Sequence, residues 1–133
     1  MKRLLHLIVG VAIGALMTTL TFAISSRAAN IQDPVRQSPQ FYKVLLQNDE
    51  VRVLEYRLKP GEKEPMHSHG NGIIYTLGGA KMKTTFPDGR TEESPLSSGE
   101  VRWRNPVTHA MENTGKTDAH AIAVELKNPC NQK

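Results

Sequence analysis

Between residues 40 and 127 apolar positions recur in short, often alternating runs, and helical periodicity is scarce. The runs at 41–46, 51–58, 73–77, 81–86, 90–95, 100–104, 107–113 and 119–126 predict β-strands. Turn signals separate them: Asn48-Asp49, Lys59-Pro60-Gly61, Gly78-Gly79, Ser97-Ser98-Gly99 and Gly115. Pro87-Asp88-Gly89-Arg90 predicts a hairpin, because proline presets φ and glycine accepts φ above zero. Short strands at such spacing, about eight or nine of them, predict an all-β sandwich or barrel. On the last run His120, Ile122, Val124 and Leu126 share one face, which makes His120 a core or pocket-lining residue rather than a metal ligand. No repeat of fixed period and no low-complexity block occurs.

The apolar pattern at the N-terminus has another character. Lys2 and Arg3 precede an almost wholly apolar stretch at 4–24, and Ser26 and Ala28 place small residues where cleavage after Ala28 would need them. Thr21 and Ala23 offer a second cleavage point after Ala23. The alternative is an uncleaved anchor, since the stretch as a helix reaches about 30 Å. Either reading puts the following domain outside the cytoplasm, periplasmic, secreted or membrane-anchored. The chain thus divides into a signal peptide or membrane anchor at 1–28, a flexible arm at 29–39 containing Pro34 and Pro39, a barrel at 40–127 and a polar tail at 128–133.

Removing the first segment changes the charge. Of 17 Lys and Arg, three (Lys2, Arg3 and Arg27) leave with it, so 14 basic residues face 13 acidic ones. No dense basic run with interleaved aromatics remains, which argues against nucleic-acid binding. Cys130 is the one cysteine, so no intramolecular disulfide can form.

Chemistry concentrates in the histidines. His6 falls in the export segment. His67 and His69 are two apart, so on an extended chain their imidazoles project to one side and suit a shared metal ion. His109 would join them from a separate strand. Tyr75, Met66, Met82, Met111 and Trp103 are candidate pocket residues, though such residues in strands mostly fill cores. No serine sits in a nucleophile-elbow setting, and Gly78-Gly79 is not followed by a helix that would make it a phosphate loop.

The segment Gly61, five residues, then His67-Ser68-His69 resembles the first motif of the cupin family. Gly99, Pro106, His109 and Asn113 resemble the second, with the glycine-to-histidine distance one residue short. The resemblance spans nearly the whole domain, and residues 50–61 and 107–127 also look like single-domain cupins named for β-alanine degradation, a name with little mechanistic content. It implies a small cupin, a double-stranded β-helix or jelly-roll barrel, with one divalent transition metal (iron, zinc, manganese or nickel) on His67, His69 and His109. The family's motif glutamate is replaced here by Ile73 and Ile74, so the implied set is three imidazoles without a carboxylate. Glu55 and Glu125, inside predicted strands, are carboxylates that could compensate, but parity alone does not say which way they face. Asn113 is expected to hydrogen-bond within the barrel rather than to bind metal.

Three functional classes follow. The first is a metal-dependent enzyme acting on a small polar metabolite, by oxygenase-type or Lewis-acid chemistry. The second is a non-catalytic module that binds a small molecule or metal. The third is a structural role in which the barrel forms a homodimer through its strand edges. Membrane contact is expected only through an uncleaved N-terminal segment.

Overall fold

The computed structural model describes residues 32–127. The expected export segment at 1–28 with His6, the start of the arm, and the tail with Cys130 lie outside the described residues. None of the described helices is long and apolar enough to cross a membrane.

In the stretch expected to run as an arm, residues 32–38 are bound to the barrel. Asp33 caps a one-turn helix α1 (Pro34–Gln37), its Oδ1 accepting from the Val35 and Arg36 amides at 3.0 and 3.2 Å. Proline at the first helical position suits a place where an amide would go unpaired anyway. Gln32 is pinned to Ser68, whose amide reaches the Gln32 carbonyl at 2.7 Å and whose hydroxyl donates to Gln32 Oε1 at 2.6 Å.

Nine strands follow among the described residues: β1 (Tyr42–Gln47), β2 (Val51–Leu58), β3 (Lys63–His69), β4 (Gly72–Gly78), β5 (Ala80–Thr85), β6 (Thr91–Leu96), β7 (Val101–Arg104), β8 (Val107–Asn113) and β9 (Ala119–Leu126). They form two antiparallel sheets, ordered β1-β2-β9-β4-β7 and β3-β8-β5-β6. The all-β class and the double-stranded β-helix are as the sequence predicts, and β2, β8 and β9 have the expected bounds. Strand β3 adds to the predicted set. Gly89 at φ 84° makes the expected β5–β6 hairpin, where its amide donates to the Phe86 carbonyl at 2.9 Å.

The two sheets enclose an interior that changes character along its length. At one end Phe41, Leu58, Ala80, Met82 and Ala119 pack as an apolar cluster, with Leu58 and Met82 fully buried. Asn113 closes this end, donating through Nδ2 to the Leu58 and Thr117 carbonyls, each at 2.8 Å. Toward the other end β2 and β9 bring Arg52 directly opposite Glu125, and the interior becomes polar.

The face of β9 that points inward is the opposite of the expected one. Ala119, Ala121, Ala123 and Glu125 are buried, while His120, Ile122, Val124 and Leu126 face out. Leu54, Tyr56 and Leu58 come in from β2 and fill the space, leaving room for methyl groups only on its neighbour. His120 accordingly lies on the outer surface, 2.8 Å from Glu55 on the next strand. Tyr75 and Trp103 also lie outside, 43% and 57% exposed, and so do not line the interior.

Candidate metal centre

The paired strands β3 and β8 set His67 directly across from His109, and His69 follows on the same face of β3. One ring nitrogen from each of His67, His69 and His109 lies within 4.8 Å of the other two. Ring centroids are 4.7 Å apart for His67 with His69, 4.7 Å for His67 with His109, and 5.5 Å for His69 with His109. The three histidines read from the sequence are brought together, and they could hold a metal ion.

Their hydrogen bonds fix which nitrogen faces the shared point. His67 Nδ1 lies 2.8 Å from the Pro65 carbonyl, which can only accept, so Nδ1 carries the proton. His69 Nδ1 lies 2.6 Å from Glu125 Oε1 and donates to it. Both neutral rings therefore turn unprotonated Nε2 atoms inward, 3.0 Å apart, with the Tyr42 hydroxyl 3.4 Å from that of His67. Lone pairs that close repel unless a proton or a cation lies between them. Three neutral imidazoles so arranged suit a divalent transition ion, with the Nδ1 acceptors holding the His67 and His69 rings in place.

Burial keeps the rings neutral. It lowers His67 to about 4 and His109 to about 3, and neighbouring histidines and Arg104 push the same way. His69 is also lowered, by burial first, although its bond to Glu125 opposes the shift.

Glu125 is the hub behind the rings. Its Oε1 accepts from His69 and from Arg104 Nη2 at 3.0 Å, and its Oε2 accepts from Arg52 Nε at 2.7 Å. Burial alone would raise its pKa, but hydrogen bonds from His69 and Arg52 and the Arg52 charge hold it down to about 2. Arg52 extends the chain to the Asp33 cap, with Nη1 2.7 Å from Oδ2. Register explains the cluster: Arg52, Glu125, Gly72 and Arg104 stand in one row across β2, β9, β4 and β7. Gly72 leaves the gap over which Arg104 reaches Glu125. A Cβ there would meet the Val124 carbonyl oxygen at 2.4 Å. Of the two carboxylates singled out in the sequence, Glu125 faces the site and Glu55 the outer surface.

Sequence reasoning passed over Glu64. A bulge between Glu64 and His67 inserts one residue in β3 relative to β8, so residues three apart both point inward. Pro65 within the bulge was the available signal, since a strand proline belongs at such a break. Glu64 is 1% exposed and neither carboxylate oxygen has a hydrogen-bond partner. It stands on the Nδ1 side of His67, 3.3 Å away, and so outside the three-nitrogen group. Burial raises its pKa to about 7, opposed by the nearby hydroxyls of Tyr42, Tyr56 and Ser38.

Beside the rings lies a cavity of about 80 Å³, walled by Ile74, Leu96, Met111, Ala121 and Ala123, with Glu64, His69, His109, Arg104 and the two tyrosines Tyr42 and Tyr56 also reaching it. Ile74, at the position where the resemblance expects a glutamate, forms part of the apolar wall. A larger, shallower depression of about 430 Å³ around Lys63, Thr85 and Glu112 contains none of the histidines, so the chemistry belongs to the smaller cavity.

No family model matches the chain, and no curated protein matches it. Solved structures do. A cupin domain from Bordetella pertussis Tohama I superposes with a TM-score of 0.60 at 25% identity, over 65% of this chain and 92% of that one. An RmlC-like cupin from Methanocaldococcus jannaschii gives 0.52 at 16% identity, over 64% and 77%. The polyketide cyclase RemF from Streptomyces resistomycificus gives 0.50 at 24% identity, over 65% of this chain and 64% of its own. The barrel of this chain has the double-stranded β-helix fold of the cupin-domain proteins.

Proposed function

We propose that this is an exported protein whose barrel holds one divalent transition metal ion on His67, His69 and His109 and acts on a small polar metabolite. The observation that carries the reading is the pair of unprotonated Nε2 atoms 3.0 Å apart, each of these two rings committed through Nδ1 to an acceptor. Imidazole donors without a carboxylate favour iron, zinc or nickel over manganese. A bound ion would supply Lewis acidity and open positions for substrate, including the oxygenase-type chemistry expected from the sequence. The chain's own groups orient the rings, keep them neutral, and place Glu64 and two protonated tyrosines around the cavity. Burial raises Tyr42 and Tyr56 well above their usual range, and both remain hydroxyl donors.

The second reading is a module that binds a ligand without turnover, favoured by Ile74, which gives the cavity an apolar wall where the resemblance expects a carboxylate. RemF, a cyclase with this fold, supports the enzyme reading by analogy only. Export rests on the basic, apolar and small-residue pattern of residues 1–28. For the assembly the proposal is a homodimer.

Elemental mass spectrometry on protein purified without a metal-binding tag is the test. Near-stoichiometric metal is expected, lost in His67→Ala and His109→Ala while circular dichroism shows both folded. Protein that is metal-free and also refuses added iron, zinc, manganese and nickel would overturn the reading. If metal binds, turnover or its absence separates the enzyme from the binding module.

A further inference from the structure

Arg104 is the buried charge whose hydrogen bonding is incomplete. Its side chain is 10% exposed, and Nη2 donates to Glu125, but its Nε–H is buried without a partner. A buried donor on a charged group left unpaired carries a desolvation cost that a suitable acceptor removes. The residue borders the cavity beside His69 and His109, so an acceptor lodged there would be met by Nε–H after a small turn of the side chain.

Glu125 does not complete the pairing, because it is already shared. Its two oxygens serve His69, Arg52 and Arg104, and the second contact of Arg52 goes to Asp33. Arg52 and Arg104 against Glu125 and Asp33 leave this row neutral. Three neutral imidazoles contribute nothing to offset an ion and Glu64 can supply one negative charge at most, so the cavity with a divalent metal would still be short of negative charge. Glu64 and the tyrosines Tyr42 and Tyr56 reach the cavity as well, and the rest of its wall is apolar: Ile74, Leu96, Met111, Ala121 and Ala123. The volume, about 80 Å³, has room for only about a handful of non-hydrogen atoms.

From these features we propose that the ligand of this cavity is a small monocarboxylate with a short apolar body, its carboxylate received by the Nε–H of Arg104 and its body by the wall around Ile74 and Met111. The inference rests on the cavity being the ligand site, as in the proposed function, and narrows it to a chemical class. Inorganic phosphate fits poorly, having more charge and no apolar portion to cover that wall. A neutral amide of the same shape keeps the apolar fit and can accept one hydrogen bond from Arg104, but loses the attraction between two opposite charges.

The experiment is isothermal titration of the whole protein, metal-free and zinc-loaded, with propionate, propanamide and inorganic phosphate. Propionate should bind at least about tenfold more tightly than propanamide or phosphate, the range of a charge-assisted hydrogen bond. Arg104→Gln should bring propionate to about the level of propanamide while weakening propanamide much less. Arg104→Lys, which keeps the charge and loses the Nε fork, should fall between them and covers the case in which the glutamine variant does not fold. Equal binding of propionate and propanamide by the unaltered protein overturns the proposal, as does discrimination that survives both substitutions. Arg104-dependent propionate binding in a protein that takes no metal supports the proposal while the metal reading fails. Metal bound with no preference for the carboxylate does the reverse.

Discussion

Neutral imidazoles in a buried site change what acid does to it. His67 and His109 titrate near about 4 and about 3 when folded, against 6.5 for free histidine, so protons compete weakly with a metal until well below pH 6. Zinc-loaded protein should keep its ion at pH 5.5, and dialysis followed by elemental analysis checks this; loss centred at 6.5 would contradict the burial argument. Glu64 works in the opposite sense. Its folded pKa of about 7 exceeds the ordinary 4.5, so in metal-free protein the folded state holds a proton that the unfolded chain releases. Between pH 4.5 and 7 this residue costs stability as pH rises, up to about 3 kcal/mol. Glu64→Gln should leave stability nearly unchanged at pH 4 and raise it progressively toward pH 7.5, seen as a growing difference in urea midpoints. The histidines set the reverse slope on the acid side in both proteins, so only the difference between the two reports Glu64.

Strands place these residues, and strands are where the sequence was partly silent. The bounds of β2, β8 and β9 could be read because alternation and turn residues agree there. Strand β3, Lys63–His69, carries a proline and little β-branched character, so its pattern is that of a loop although its ladder to β8 is what sets His67 across from His109. The histidine triad was legible because a two-residue spacing survives on the straight part of β3. Glu64 was not, because the bulge reverses parity between it and His67. Glu125 was ambiguous for a different reason: the outer face of β9 is the more hydrophobic one, and inward alanines make sense only beside large facing side chains. Gly72 carries a constraint that composition cannot show. Gly72→Ala drives a methyl into the Val124 carbonyl and crowds the row from Arg52 to Arg104, and should destabilise the fold by about 1–3 kcal/mol in urea titration.

For the molecule as a whole, the strand edges bear on assembly. The five-stranded sheet ends on β1 and β7, and both expose large apolar groups: Val44, Leu45 and Leu46 on one, Val101 and Trp103 on the other. An edge strand with unpaired amides and carbonyls and an apolar surface is a template for a second strand. Two copies of β1 can satisfy each other about a two-fold axis, which supports the homodimer proposed above. Sedimentation should find a dimer, and Leu45→Lys should convert it to a monomer with unchanged circular dichroism; a monomer at all concentrations in the unaltered protein removes the proposal. The position of β9 has a further consequence, for time rather than space. It is the last of the described strands in sequence and the middle strand of its sheet, between β2 and β4. Until it emerges, β1-β2 and β4-β7 are separate pairs, and the Arg52–Glu125 contact must close over 73 residues. Folding of the barrel therefore waits for β9, proceeds at the slow pace of long-range strand pairing, and completes the rings' support in the same event that closes the barrel.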